Sequence, residues 1–199
     1  MPTPPSHRHF VLHKPYGFLS QFVSEDAREA RKKRFLGELY PFPAGTMAIG
    51  RLDEDSEGLL LLTTDGRVSE QIRNGGTEKE YYAQLDGLIT DEALQRLEQG
   101  VEIGVREVKY QTAATCRARR LAAAPPFGPR PRPVRDDRHG PTCWVSITLT
   151  EGKFRQVRKM TAAVGFPTLR LVRVRVGELW LGALAPGEVR EVPGFGRPA

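Results

Sequence analysis

Four carboxylates crowd one short stretch, Asp53, Glu54, Asp55 and Glu57, and the chain runs from them through Gly58 into an unbroken series of leucines, Leu59 to Leu62. Acids so placed can hold a cation, form a solvated turn, or attack an electrophilic carbon. Asp53, Asp55, Glu57 and Gly58 begin like a calcium loop, which draws oxygen ligands from alternate positions. They do not continue like one. The twelfth position, where a bidentate Glu belongs, is Thr64, and a leucine strand would carry the chain away from any ion. A solvated turn is the ordinary fate of a charged segment, but here Leu52 stands between Arg51 and Asp53. In an extended stretch alternate residues share a side, so Leu52 can anchor the loop while the two charged groups project together. A positioned aspartate is ionised at neutral pH, its ordinary pKa being about 3.9, and as a nucleophile it needs a cation to orient it rather than a base to activate it.

The chain supplies such cations in Glu151-Gly152-Lys153-Phe154-Arg155-Gln156-Val157-Arg158-Lys159-Met160. A Glu-Gly turn leads into a helix pattern with Val157, Met160, Thr161 and Val164 on one face. Lys153, Arg155, Arg158 and Lys159 then crowd the helix's first turns. An arginine can grip a carboxylate through two parallel hydrogen bonds, a geometry that lysine does not reproduce.

The elements that must position these groups follow from patterning. Leu59 to Thr63 reads as a strand buried on both faces, and Phe10 to Lys14 as a strand ended by Pro15 and Gly17. Between them, Glu25 to Arg34 is a charged segment whose Lys32-Lys33-Arg34 cluster is either a solvated helix face or an RNA contact. Asp65 to Arg73 is expected as a short helix, Glu78 to Leu85 as a strand, and Thr90 to Gln99 as a helix stopped by Gly100. Short strands follow as far as Arg120. Residues 122–141 are rich in proline and arginine and cannot join a central sheet, because proline lacks the N–H donor. Arg130, Arg132, Arg135 and Arg138 make this long loop either a phosphate contact or a mobile linker. Thr142 to Thr150 alternates as a half-buried strand, with Cys143, Val145, Ile147 and Leu149 against Thr142, Trp144, Ser146 and Thr148. Phe154 to Val164 is the basic helix. Leu169 to Val176 reads as a strand with one basic face made by Arg170, Arg173 and Arg175, either a solvent face or an RNA-facing wall.

A chain of 199 residues can bury one ample core, and the expectation is one globule, 1–199, with two lobes. No apolar run approaches the ~18 residues a membrane helix requires, so no membrane partner is expected. The polar, proline-rich start carries no secretory signal. Cys116 and Cys143 lack metal-ligand spacing and read as free thiols of a reducing cytoplasm. A net charge of +6 and a pI near 9.6 favour a polyanionic partner. Neither Gly-x-Gly-x-x-Gly nor a phosphate-binding Gly-Lys-Ser/Thr loop occurs, so a nucleotide cofactor has no anchor.

Taken in order, Gly50-Arg51-Leu52-Asp53, then Asp55-Ser56-Glu57-Gly58-Leu59-Leu60, Lys79-Glu80-Tyr81, and Glu151 to Arg158 resemble the motifs of the pseudouridine synthases that act on bacterial small- and large-subunit ribosomal RNA. His13-Lys14-Pro15-Tyr16-Gly17 is similar to that family's first strand and turn. Gly165-Phe166-Pro167-Thr168-Leu169-Arg170-Leu171 follows the helix in the manner of its short large-subunit branch. Ser56 stands where the family usually has Thr, which keeps the hydroxyl.

The resemblance implies an α+β fold, a largely antiparallel mixed sheet in two lobes with flanking helices and a central active-site cleft. It implies isomerisation of a uridine to pseudouridine in large-subunit (23S) ribosomal RNA, free or in an assembly intermediate, by a cytoplasmic monomer. Nothing is gained or lost in that reaction, so no cofactor and no metal are expected. Asp53 is then the nucleophile, acting on the ribose or the base, and Arg158 the cation that orients it. Tyr81 stacks under the target uracil, while Tyr82 faces the opposite side of its strand as core. Arg51 fills the space left by the extruded nucleotide, its other possible role being a salt bridge to Glu54 or Asp55. Lys79, Lys153, Arg155 and Gln156 contact the substrate or its backbone. Only about ten residues precede the first strand, so no N-terminal RNA-binding accessory domain is expected. Two other readings use the same residues: a non-catalytic RNA-binding assembly factor, and a glycoside-type hydrolase with Asp53 and Asp55 as paired carboxylates, which the basic strands disfavour.

Overall fold

The leucine run does become a strand with every residue buried, from Glu57 to Thr63. This computed structural model describes residues 7–105, 108–134 and 137–196; Arg135 of the arginine-rich loop lies outside them. In chain order the elements are β1 (His9–Lys14), α1 (Ala27–Lys32), β2 (Met47–Ala48), β3 (Glu57–Thr63), α2 (Gly66–Asn74), β4 (Lys79–Asp86), α3 (Asp91–Gln99), β5 (Glu102–Val105), β6 (Val108–Gln111), β7 (Arg117–Arg120), β8 (Thr142–Leu149), α4 (Gln156–Ala163), β9 (Thr168–Val176), β10 (Leu179–Trp180) and β11 (Val189–Val192). They form an α+β fold, and the described strand pairings are antiparallel. The chain divides into two compact units, one of residues 1–77 with 175–199 and one of residues 78–174.

In the first unit β1 lies between β11 and β3. Its register on β3 sets Phe10 opposite Leu62 and Leu12 opposite Leu60. Antiparallel partners share a face, and these four close on Leu36, with Phe22, Leu39, Tyr40 and Phe42 packed around them. The other face of the pair, Val11, Leu59 and Leu61, is buried too, which is why β3 shows no polar alternation. Helix α2 begins one residue later than the pattern suggested because Asp65 is its N-cap, accepting from the N–H of Arg67 and Val68.

In the second unit the strand order is β9, β4, β8, β7. β4 and β8 pair along their whole length, from Lys79 opposite Leu149 to Asp86 opposite Thr142. Helix α3 is capped by Thr90 and stopped by Gly100, whose φ of 91° is a left-handed value. An added Cβ there would lie 2.4 Å from the Thr112 carbonyl oxygen.

Three expectations change. Within residues 122–141 the stretch from Phe127 to Arg130 is a strap tethered to its own unit rather than a free linker. Phe127 sits against Tyr82 and Trp144 with the Arg170 guanidinium over its ring, Arg170 donates to the Gly128 carbonyl (3.0 Å), and Arg130 to that of Leu169 (3.4 Å). Tyr82 therefore meets the strap. β8 is not half-exposed: Ser146 and Thr148 are buried with Val145 and Ile147, and the Ser146 hydroxyl donates to the buried Glu80 carboxylate at 2.7 Å. Finally, β9 has no single basic face. Arg170 differs in parity from Arg173 and Arg175, so alternation sends it to the opposite side, and both Arg170 and Arg173 are buried.

Candidate active site

The turn carrying Asp53 is built from its backbone outward. Leu52 is buried, and the Ser20 hydroxyl clamps it from both ends, donating to its carbonyl (2.8 Å) and accepting from its N–H (2.9 Å). The Ser56 N–H closes the turn onto the Asp53 carbonyl at 3.0 Å, and the Gly17 N–H reaches the Glu54 carbonyl at 2.8 Å. Lys33 adds an ion pair to the Glu54 carboxylate at 2.6 Å. Just inside β3, Gly58 has φ 108°, a value open to glycine and strained for other residues. Asp53 is half-buried on this frame and Arg51 is exposed. Glu54 being taken by Lys33, no ion pair of Arg51 occurs among the described residues.

Lys14, at the end of β1, is fully buried. Its ammonium donates to the carbonyls of Phe18 (2.6 Å) and Pro15 (3.0 Å). Burial pulls its pKa down to about 7, against the opposing pull of Glu57, Asp55, Asp53 and Glu54. The acidic turn thus contains its own resident lysine, a component that the Lys-Pro-Tyr-Gly motif quoted above contained without revealing.

In the second unit Tyr81 lies in β4, nearly buried, opposite Ile147. Lys79 donates to the Thr150 carbonyl at 3.2 Å, and its pKa is lowered by burial and then by Arg173. The Glu-Gly-Lys turn is organised by Glu151, which sequence reasoning passed over as a turn residue. One of its carboxylate oxygens accepts from the Tyr110 hydroxyl (2.6 Å) and from the N–H of Ala113 (3.3 Å); the other accepts from the Gln156 amide. The carbonyl end of that amide accepts from the Lys153 N–H at 2.9 Å. Gln156 is buried with both ends of its amide engaged inside the turn, which it helps to hold in shape.

Lys153 is exposed, its ammonium over the Tyr110 ring at 4.6 Å. Arg155, at the N-cap of α4, has φ 51° and is the non-glycine residue with a positive φ among those described. Such strain persists only where the surroundings over-determine it, and it concentrates at functional sites. Arg158 follows in the first turn of α4 and donates to the Thr168 carbonyl of β9 at 3.2 Å. Of the expected site residues, Asp53 and Arg51 therefore belong to the first unit; Lys79, Tyr81, Lys153, Arg155, Gln156 and Arg158 belong to the second.

Comparison with known proteins addresses the same segments. The family model described as RNA pseudouridylate synthase matches residues 8–163, which include the Asp53 turn, the Lys79-Glu80-Tyr81 strand and the Glu151 turn. A protein named ribosomal large subunit pseudouridine synthase E, from Xanthomonas axonopodis pv. citri (strain 306), is 44% identical over 178 residues, covering 88% of this chain and 89% of that one. A protein of the same name from Vibrio parahaemolyticus serotype O3:K6 (strain RIMD 2210633) is 40% identical over 185 residues, with 92% and 72% covered. A crystal structure described as a pseudouridylate synthase superposes with a TM-score of 0.70 at 27% identity, covering 94% of this chain and 70% of that one. Fold, ordered motifs and relatives agree: this chain belongs to the RNA pseudouridylate synthase family, and it is similar to that family's large-subunit ribosomal members.

Proposed function

We propose that this protein converts a specific uridine of large-subunit ribosomal RNA to pseudouridine, as a cytoplasmic monomer and without a cofactor. Asp53 is the nucleophile. In the course of the reaction the bond between ribose C1′ and uracil N1 breaks, the base turns, a bond forms between C1′ and C5, and the C5 proton is lost while N1 gains one. Product and substrate are isomers, so atoms and electrons balance within the nucleotide. The observation that carries the proposal is the Asp53 turn, clamped at Leu52 by Ser20 and closed by the Ser56 N–H, which holds the half-buried aspartate on a fixed backbone frame.

Arg158 is assigned the role of orienting that carboxylate, and Tyr81 that of stacking on the uracil and assisting removal of the C5 proton. Extruding a uridine from folded RNA costs a few kcal/mol, and Arg51, exposed and outside any ion pair with a described residue, is available to occupy the vacated space. Lys79, Lys153 and Arg155 serve the substrate and its backbone.

The test is Asp53→Asn. Pseudouridine formation on large-subunit ribosomal RNA should fall below detection while RNA affinity stays within about threefold, since one neutralised carboxylate leaves the phosphate contacts in place. Turnover by the variant at the wild-type rate would overturn the nucleophile assignment. A wild-type protein that binds the RNA and forms no pseudouridine would instead establish an assembly factor on this fold.

A further inference from the structure

Helix α1 has no buried side chain. Six residues are far fewer than the ~12–15 a helix needs to hold alone in water, so polar contacts fix it in place of an apolar face. Asp26 caps it, accepting from the N–H of Arg28 and Glu29 at 2.8 Å each. Its one acid, Glu29, is engaged by the Ser24 hydroxyl and the Gln21 amide. Beyond its C-terminal end, Lys33 is tied to Glu54, the neighbour of Asp53 in the acidic turn.

On this helix Arg28, Arg31 and Lys32 stand at i, i+3 and i+4 and form one stripe. All three are exposed, and none pairs with a carboxylate of any described residue. Like charges at that spacing repel and destabilise a helix by a few tenths of a kcal/mol per pair, a cost that an anion lying along the stripe would remove. A second exposed arginine cluster, on the edge strand β7, is different. Arg117 pairs with Glu78 (2.8 Å), Arg119 approaches Glu80 (4.0 Å) and Arg120 pairs with Asp91 (2.7 Å). Those charges are answered internally and suit protection of a sheet edge.

We propose that α1 is a docking surface for the phosphate backbone of the RNA substrate, with Arg28, Arg31 and Lys32 meeting phosphates beside the target nucleotide. This rests on the pseudouridine synthase reading above. Arg28 and Lys32 lie about 6 Å apart along the helix axis, and the next residue, Lys33, connects the helix to the turn that carries Asp53. RNA held on the stripe is thereby held next to the nucleophile's own loop, which makes α1 a determinant of how the strand enters.

The test measures binding of unmodified transcripts of large-subunit ribosomal RNA across about 50–200 mM salt, for wild type and for R28A/R31A/K32A. Each lost phosphate contact should lower the slope of log affinity against log salt by about 0.7–0.9, so the variant's slope should fall by about 2–3 and its low-salt affinity at least about tenfold. Turnover at saturating RNA should stay within about twofold. Alanine favours helix, and R28K/R31K, which keeps the charges, should retain the wild-type slope.

An unchanged slope in the alanine variant overturns the proposal. So does an equal fall in R117A/R119A, which would reduce the effect to net charge, and so does failure of the lysine variant to hold the slope. Pseudouridine is assayed on the same transcripts. Absence of product from wild type would retire the catalytic reading while the slopes still decide the role of α1; an unchanged slope beside normal modification would retire α1 alone.

Discussion

Lys14 shows what a single side chain contributes that its position in the sequence does not announce. A lysine at a strand end is by residue type a surface group, yet this one is fully buried with its ammonium on two carbonyls. Its pKa, lowered to about 7 from an ordinary 10.5, fixes the sign of its linkage. Between those values the unfolded chain binds the proton and the folded one does not, so stability rises with pH across that window, by at most about 1.4 kcal/mol per pH unit. Below pH 7 both states are protonated and the dependence vanishes. Lys14→Met removes the group, so the stability difference between wild type and variant should shift in favour of wild type from pH 7 to pH 9, read from urea midpoints. A flat difference would mean that Lys14 stays charged throughout. Asp53 and Arg158 were singled out because ordered motifs carry them. Lys14 and Glu151 stood inside those same motifs, but their partners, the Phe18 and Pro15 carbonyls and the Tyr110 hydroxyl, come from contacts that spacing alone does not reveal.

At the scale of elements, punctuation was read well and coverage was not. Caps at Asp65 and Thr90 and the stop at Gly100 are local chemistry, and the helices begin and end at those residues. Gly100 also carries a stability prediction. Its φ of 91° and the 2.4 Å approach of a would-be Cβ to a backbone oxygen leave an alanine no room. Gly100→Ala should cost about 1–3 kcal/mol in thermal or urea unfolding. Gly128→Ala, where nothing lies within 4 Å and φ is not positive, should stay within about 0.5 kcal/mol; equal losses at both sites would refute the steric argument. Residues 122–141 were excluded from the sheet by their prolines, and those of them that are described join no strand, but proline content says only what a segment cannot join. That Phe127 would meet Tyr82 and Trp144, and that Ser146 and Thr148 of β8 would be buried, depends on tertiary packing. The arginines of β9 are a different case, because positions 170, 173 and 175 differ in parity and period two already forbids one shared face.

For the whole molecule, composition indicated class and little more. The +6 charge pointed to a polyanion without saying which surface meets it, and only the pairing of individual groups separates the stripe on α1 from the self-neutralised edge of β7. Among the described residues no helix is long and apolar enough to cross a membrane. Cys116 and Cys143 are both free, and burial raises the Cys116 thiol to about 12, so that thiol should not react at neutral pH. The division into two compact units has an optical corollary. The chain's two tryptophans fall one to each: Trp144 in the second, half-buried under Phe127, and Trp180 in the first, 56% exposed with Arg175 over its ring. Native Trp180→Phe protein should therefore fluoresce at shorter wavelength than Trp144→Phe protein. Each variant then carries a lamp in one half only, so that melting can be followed half by half and it becomes visible whether a substitution loosens its own neighbourhood first.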